Sequence, residues 1–151
     1  MSNFSKKILR KEISFNKKKI TTIPHGVSEI FKFRNRQLNK KLIKIIYVSK
    51  IDIYKNQIKI IYALSKLKNK FNFNLLLVGS FDYNNKKILI DKINKLNMNR
   101  DVKILGKVNY EKLPNLYDKS DIKIYASKSE TFGMTMLEAM KCGLPVLSIK
   151  N

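Results

Sequence analysis

Residues 42–78 read LIKIIYVSKIDIYKNQIKIIYALSKLKNKFNFNLLLV, and this stretch decides the fold. Ile43–Val48 and Phe73–Val78 are apolar runs with the length of buried strands, each interrupted by a single polar residue. Between them, Asn56–Lys68 carries its apolar residues at helical spacing. A strand, a helix and a strand in this order form a parallel pair with a right-handed crossover. The stretch therefore predicts the first unit of a parallel sheet.

The same alternation continues to the end of the chain. Three further apolar runs predict strands, and stretches with helical spacing separate them. We therefore expect an α/β fold with a doubly wound parallel sheet of the Rossmann-like class. The predicted strands are Val102–Leu105, Ile122–Tyr125 and Val146–Ile149, and the predicted helices lie around Leu89–Leu96, Leu113–Tyr117 and Gly133–Met140.

The residues before the sheet give weaker signals. Residues 1–18 are a basic lead-in with weak amphipathic character, in which we expect one helix. Lys19–Ile23 predicts a short strand that ends at the turn-forming Pro24-His25-Gly26. Residues 37–41 are polar and predict a loop. Residues 19–151 are expected to form a single domain.

Composition limits the class of protein. The chain of 151 residues has the size of one domain. Its apolar runs are all far shorter than the roughly 18 residues that span a bilayer. The single cysteine, Cys142, has no second cysteine to pair with. This cysteine usage favours a reducing, cytoplasmic setting.

The net charge of +21 is extreme. Lysines are spread along the whole chain, and this even spread favours solvated side chains produced by an A+T-rich coding bias. Attraction to anionic lipid at the inner membrane face, or to another polyanionic partner, is the alternative. No aromatic-basic motif or zinc-ligand spacing indicates specific binding to nucleic acid.

Several polar residues follow the predicted strands. In an open parallel sheet, ligands bind outside the carboxyl ends of the strands. Lys50 and Lys55 flank the turn after the first strand, beside the start of the next helix. Two ammonium groups and a helix dipole suit a diphosphate, while solvated surface is the competing interpretation in a chain so rich in lysine.

Glu130 and Glu138 are separated by seven residues across the start of the last predicted helix. A carboxylate accepts two hydrogen bonds at once, so each can hold a pair of hydroxyls on a sugar or a ribose. The free N–H groups of Phe132 and Gly133 at the helix start can hold negative charge on a phosphate. Because Thr131-Phe132-Gly133 lies between the glutamates, a binding role is favoured over a solvated helix face.

Together these residues resemble the C-terminal, donor-binding domain of two-domain retaining glycosyltransferases, the glycogen-synthase-like or glycosyltransferase group 1 family. The resemblance covers roughly Lys19–Ser148, and its most specific part is Ser127–Pro145. Weaker matches are Thr22–Ser28, Tyr47–Lys50 followed by Lys55-Asn56, Leu77–Gly79 and Val102–Gly106.

The resemblance implies transfer of a sugar from a UDP- or GDP-linked donor, with retention of configuration and without a metal or other cofactor. It implies that the donor diphosphate binds Lys50 and Lys55, and that Glu130 contacts the transferred sugar as a third residue of the catalytic group. A role in assembling cell-envelope polysaccharide or glycolipid follows from the family. The donor-binding residues implied are Phe132 and Gly133 beside the sugar, Glu138 at the ribose, and Lys107 and Val108 at the nucleobase.

Two departures from the family pattern affect these expectations. Lys50 stands where arginine is common, and lysine keeps the charge but loses the bidentate fork. The family also has an acceptor domain before this one and further helices after the fifth strand. We therefore expect a donor domain that is incomplete at its C-terminal end and works with a separate acceptor domain. The alternatives are a non-catalytic nucleotide-sugar-binding module and an inactive truncated remnant.

Overall fold

The computed structural model describes residues 3–12, 21–37, 41–128, 130 and 132–149. Five parallel strands form one sheet in the order β3-β2-β1-β4-β5. The predicted α/β class and all five predicted strands are confirmed. The strands are β1 (Ile43–Val48), β2 (Phe73–Val78), β3 (Val102–Gly106), β4 (Ile122–Tyr125) and β5 (Val146–Ser148). The helices are α1 (Asn3–Glu12), α2 (Gln57–Ser65), α3 (Tyr83–Lys95), α4 (Leu113–Asp118) and α5 (Met134–Lys141), with single 3-10 turns at Ile53–Lys55 and Tyr110–Lys112.

The sheet is covered on both faces because successive residues of each strand point to opposite sides. In β1, Ile45 and Tyr47 join a core with α2 and α3, whereas Ile46 and Val48 join a core with α4 and α5. Cys142 is buried in the second core. The three-layer arrangement leaves the carboxyl edge of the sheet and the helix starts above it as the place for a ligand.

Residues 21–37 are tied to the helices by side chains. Phe31 is buried beneath α4, with its ring centroid 6.0 Å from that of Tyr117. The Arg36 guanidinium donates to the carbonyl oxygens of Tyr117, Ser120 and Cys142 at 2.8, 2.9 and 2.9 Å. These bonds join this segment to the C-terminal ends of α4 and α5.

The predicted strand at Lys19–Ile23 is wrong for the part that can be compared. Residues 21–23 belong to no strand or helix, and residues 19 and 20 lie outside the described part of the chain. The physical reason is that Phe31 and Arg36 direct this segment over the helices, so its backbone does not lie beside a sheet edge. The loop predicted at 37–41 agrees at its two ends, and residues 38–40 lie outside the described residues.

The basic lead-in contains the expected helix, α1. Helix α2 begins after Asn56, later than its predicted start, because Asn56 has a left-handed backbone with φ of 58°. In the ranges that the structure describes, no helix is long and apolar enough to cross a membrane.

Candidate active site

The carboxyl ends of the strands approach one another closely. The Ser49 amide donates to the Val78 carbonyl, and the Gly79 amide donates to the Gly106 carbonyl, both at 2.9 Å. Gly79 has φ of 150°, and a Cβ there would lie 1.9 Å from the Ser49 carbonyl oxygen. Only glycine fits this approach. The loops after β1, β2 and β3 are therefore held together at one edge of the sheet.

Lys55 and Glu130 meet at this edge. The Lys55 ammonium lies 2.9 Å from Glu130 Oε2 and 3.1 Å from Ser127 Oγ. The Lys55 side chain is only 12% exposed. An ammonium group has three N–H donors, and these two partners use two of them. The third can be donated to an anionic ligand without breaking the cluster.

The position of Lys55 is fixed through the backbone around it. The Tyr47 hydroxyl donates to the Lys55 carbonyl, and the Ala126 amide donates to the Tyr47 oxygen at 3.2 Å. The Asn56 amide group donates to the Ala126 carbonyl at 2.7 Å. The turn after β1 is thus tied to the end of β4, which leads to Ser127 and Glu130.

Gly133 begins α5 with a left-handed backbone, φ of 73°. A Cβ there would lie 3.2 Å from the Met136 methyl and 3.5 Å from the Tyr125 hydroxyl. Burial and the nearby Glu130 carboxylate raise the pKa of Tyr125. The Phe132 ring stands edge-on to the His25 ring, with centroids 4.7 Å apart. The predicted sugar-contact residues therefore gather around the start of α5.

Glu138 lies in a separate, buried group. It is 4% exposed, and its two oxygens accept hydrogen bonds from the hydroxyls of Tyr110 at 3.1 Å and Tyr117 at 3.3 Å. Lys123 of β4 is fully buried, with its ammonium 5.4 Å from the centre of the Tyr117 ring. Burial lowers the pKa of Lys123 to about 7, against the opposing effect of the Glu138 charge.

The other predicted residues are less closely associated. Lys50 is half-exposed and pairs with Asp52 at 3.2 Å, and this hydrogen bond raises the pKa of Lys50. Lys107 is exposed, and Val108 packs against the second core. The structure therefore brings Lys55, Glu130 and Gly133 together, while Lys50 lies in a surface ion pair of its own.

Sequence reasoning missed several residues that shape this region. Ser127 holds Lys55, whereas Tyr110 and Tyr117 hold Glu138. His25 contacts Phe132, although the sequence assigned it only to a turn. Ser127 could have been predicted, because it follows a predicted strand directly and polar groups at strand ends meet at the ligand-binding edge of the sheet. The tyrosines carried no such signal.

Cavities lie at both edges of the sheet. One of about 450 Å³ is at the amino edge and is lined by residues such as Lys44, Asn74 and Asp101. None of the predicted site residues lines it, and parallel sheets bind ligands at the opposite edge. A groove of about 380 Å³ at the carboxyl edge includes Asp52 and Asn56, next to Lys55. In the described residues, no three His, Cys, Asp or Glu side chains gather in a group that could hold a metal ion.

Comparison with known proteins gives the family. The sequence pattern of the family described as glycosyl transferases group 1 matches residues 28–151, so the chain belongs to this family. An uncharacterized glycosyltransferase of Methanocaldococcus jannaschii is 33% identical over 103 residues, which cover 68% of this chain and 26% of that protein. The chain thus spans about a quarter of the length of this curated relative.

Solved structures support the same assignment. A glycosyltransferase of Rickettsia africae matches with a TM-score of 0.84 and 28% identity, covering 97% of this chain and 42% of that one. Anabaena HepE in complex with UDP-glucose matches with a TM-score of 0.64 and 28% identity, covering 70% of this chain and 29% of that one. One structural neighbour of this chain has thus been solved with a nucleotide-sugar bound.

Proposed function

We propose that residues 19–151 form the nucleotide-sugar-binding domain of a retaining glycosyltransferase, which transfers a sugar from a UDP- or GDP-linked donor to an acceptor. The observation that carries this proposal is the Lys55 ammonium held between Glu130 and Ser127 at the carboxyl edge. In this cluster a fixed positive charge and a carboxylate lie side by side, close enough to contact the same donor molecule. The HepE neighbour with bound UDP-glucose supports the choice of ligand.

The chemistry follows from the charges. As the acceptor hydroxyl oxygen bonds to the sugar C1, the bond between C1 and the diphosphate oxygen breaks, its electron pair stays on the diphosphate, and the hydroxyl proton passes to the departing diphosphate. The third N–H of Lys55 stabilises that charge, and the half-exposed Lys50 adds a second cation. Glu130 accepts hydrogen bonds from hydroxyls of the transferred sugar, since a carboxylate has about four acceptor sites and the Lys55 ammonium uses one of them. The Phe132 and Gly133 amides lie beside it.

The nucleoside half of the donor occupies the neighbouring region. Glu138 accepts hydrogen bonds from the ribose, and Lys107 and Val108 border the nucleobase. A separate acceptor-binding domain supplies the other side of the cleft, which agrees with the greater length of the relatives. The net charge of +21 permits a peripheral contact with an anionic membrane surface.

Thermal unfolding of this chain with UDP, GDP, UDP-glucose and GDP-mannose tests the proposal. One nucleotide series should give a saturable rise in Tm, because a ligand that binds only the folded state stabilises it. The same titration with Lys55→Met separates the site from general attraction of anions to a basic protein. A cooperative transition that no nucleotide shifts would contradict the proposal and favour an inactive remnant.

A second experiment tests whether the anomeric configuration is retained and whether transfer requires an acceptor domain. The chain is mixed with the donor that binds and with a simple alcohol acceptor, and proton NMR follows the anomeric signal of any product. An α-linked donor should give an α-linked product, at a rate that rises when a matching acceptor domain is added. Binding without any turnover, even when the matching acceptor domain is added, would leave a non-catalytic binding module.

A further inference from the structure

Both oxygens of the Glu138 carboxylate are already occupied in this structure. The Tyr110 hydroxyl donates to Oε1 at 3.1 Å, and the Tyr117 hydroxyl shares its proton between Oε2 and the Thr135 carbonyl oxygen, both 3.3 Å away. The residue is 4% exposed. Each oxygen keeps a second acceptor site, but this buried carboxylate meets a half-exposed group only at Oε1, through Tyr110, so a ribose reaches it by taking the place of that phenol.

The two tyrosines differ in how easily they can move. Tyr117 is fully buried in α4, packs against Phe31 and lies beneath the Lys123 ammonium. Tyr110 is 42% exposed and lies on the single 3-10 turn Tyr110–Lys112 after β3. Its ring touches Phe31 edge-on, with centroids 5.3 Å apart. Only Tyr110 can turn away from Glu138 without opening the core.

We propose that the Tyr110 hydroxyl occupies the position of a ribose hydroxyl on Glu138, and that the donor binds by displacing it. This inference rests on the proposed function. A phenol and a ribose hydroxyl each donate one O–H to a carboxylate oxygen, so the exchange conserves the hydrogen bond to Oε1. Tyr117 stays on Oε2 and keeps the carboxylate oriented. Tyr110 is therefore a residue of the ribose subsite that sets the affinity for the donor.

If the donor displaces this hydroxyl, removing the hydroxyl should raise the affinity for the donor rather than lower it. Tyr110→Phe keeps the ring against Phe31 but removes the competing hydroxyl, so it should tighten binding of UDP-glucose or GDP-mannose. The expected gain is about three- to tenfold, the equivalent of one ordinary hydrogen bond. A residue with a direct favourable contact to the nucleotide, or with a merely structural role, gives no gain.

Isothermal titration of the wild type and Tyr110→Phe with UDP-glucose and with GDP-mannose measures this difference. Tyr62→Phe is the matched control, because Tyr62 is 47% exposed and lies on α2, on the other face of the sheet. Its affinity should equal that of the wild type. The gain from Tyr110→Phe should also vanish with a 2′,3′-dideoxy nucleoside diphosphate of the same base, which has no hydroxyl to place on Oε1.

The outcomes separate the two proposals. Equal or weaker binding by Tyr110→Phe overturns the displacement but leaves the proposed function intact. A gain that persists with the dideoxy nucleotide also overturns it, since the ribose hydroxyls are then not involved. If neither protein binds any nucleotide although both unfold cooperatively, the proposed function and this inference fail together.

Discussion

The Lys55 ammonium and the Glu130 carboxylate lie 2.9 Å apart, although 75 positions separate these residues in the chain. Lys55 follows β1, and Glu130 follows β4. The two side chains can meet because β1 and β4 are neighbours in the sheet, where Ile45 pairs with Ile122. The ion pair is therefore a product of the strand order and marks the point where the two loops converge.

Lys55→Met should weaken nucleotide-sugar binding about ten- to hundredfold, because hydrogen bonds to charged groups contribute about 1.5–3 kcal/mol. Lys95→Met is the matched control, since Lys95 is exposed in the last turn of α3, away from the groove at the carboxyl edge. Isothermal titration with UDP-glucose and GDP-mannose measures both variants. Equal affinity of Lys55→Met and the wild type would exclude Lys55 from the diphosphate site.

Glu130→Ala should distinguish the sugar from the nucleotide. The affinity for the nucleotide-sugar should fall about tenfold, whereas the affinity for the bare nucleoside diphosphate should stay the same or rise, because Lys55 loses its competing carboxylate. Asp91→Ala, an exposed carboxylate on α3, controls for the change in net charge. Equal losses for both ligands would remove Glu130 from the sugar site.

Lys123→Met should stabilise the protein. Burial lowers the pKa of Lys123 to about 7, so between pH 7 and about 10 the unfolded chain binds more protons at this residue than the folded chain. The destabilising effect of Lys123 is thus complete below pH 7 and fades as the pH rises. Methionine should raise the free energy of unfolding by about 1–4 kcal/mol at pH 7, since replacing buried charge by an apolar side chain is often stabilising.

Urea denaturation at several pH values between 6 and 10 measures this difference. The difference in the free energy of unfolding between Lys123→Met and the wild type should decrease steadily above pH 7. Lys103→Met, at an exposed position of β3, should show no such difference. A difference that is constant with pH would mean that the folded protein does not hold Lys123 with a lowered pKa.

Gly79→Ala should destabilise the protein by about 3 kcal/mol or more, because the added Cβ would lie 1.9 Å from the Ser49 carbonyl oxygen. Gly26→Ala is the control, since a Cβ there meets no heavy atom within 4 Å. Denaturant unfolding compares the two variants with the wild type. Similar midpoints for Gly79→Ala and Gly26→Ala would show that the strand ends can separate at little cost.

The fold could be predicted from the sequence because the strands are short apolar runs separated by helical stretches. The strand-end rule also predicted that Lys55 and Glu130 would lie at one edge, and the structure brings them together. Their direct ion pair was not predictable, because it depends on side-chain conformations and on the hydrogen bonds that Tyr47 and Asn56 make to Ala126.

The surroundings of Glu138 could not be read from the sequence. Lys123 lies in an apolar run, where a lysine usually indicates a solvated position, yet its side chain is buried beside Tyr117. Tyr110 is 42% exposed and Tyr117 is fully buried, although both lie between β3 and β4. Only tertiary packing directs their hydroxyls to the same carboxylate.

The Arg36 guanidinium links two helices of the candidate site. It bonds to carbonyl oxygens at the ends of α4 and α5, the helices that carry Tyr117 and Glu138. The spacing between this phenol and this carboxylate therefore depends on a side chain more than 80 positions upstream of both helix ends. Loss of the Arg36 guanidinium would remove hydrogen bonds from the ends of both helices at once.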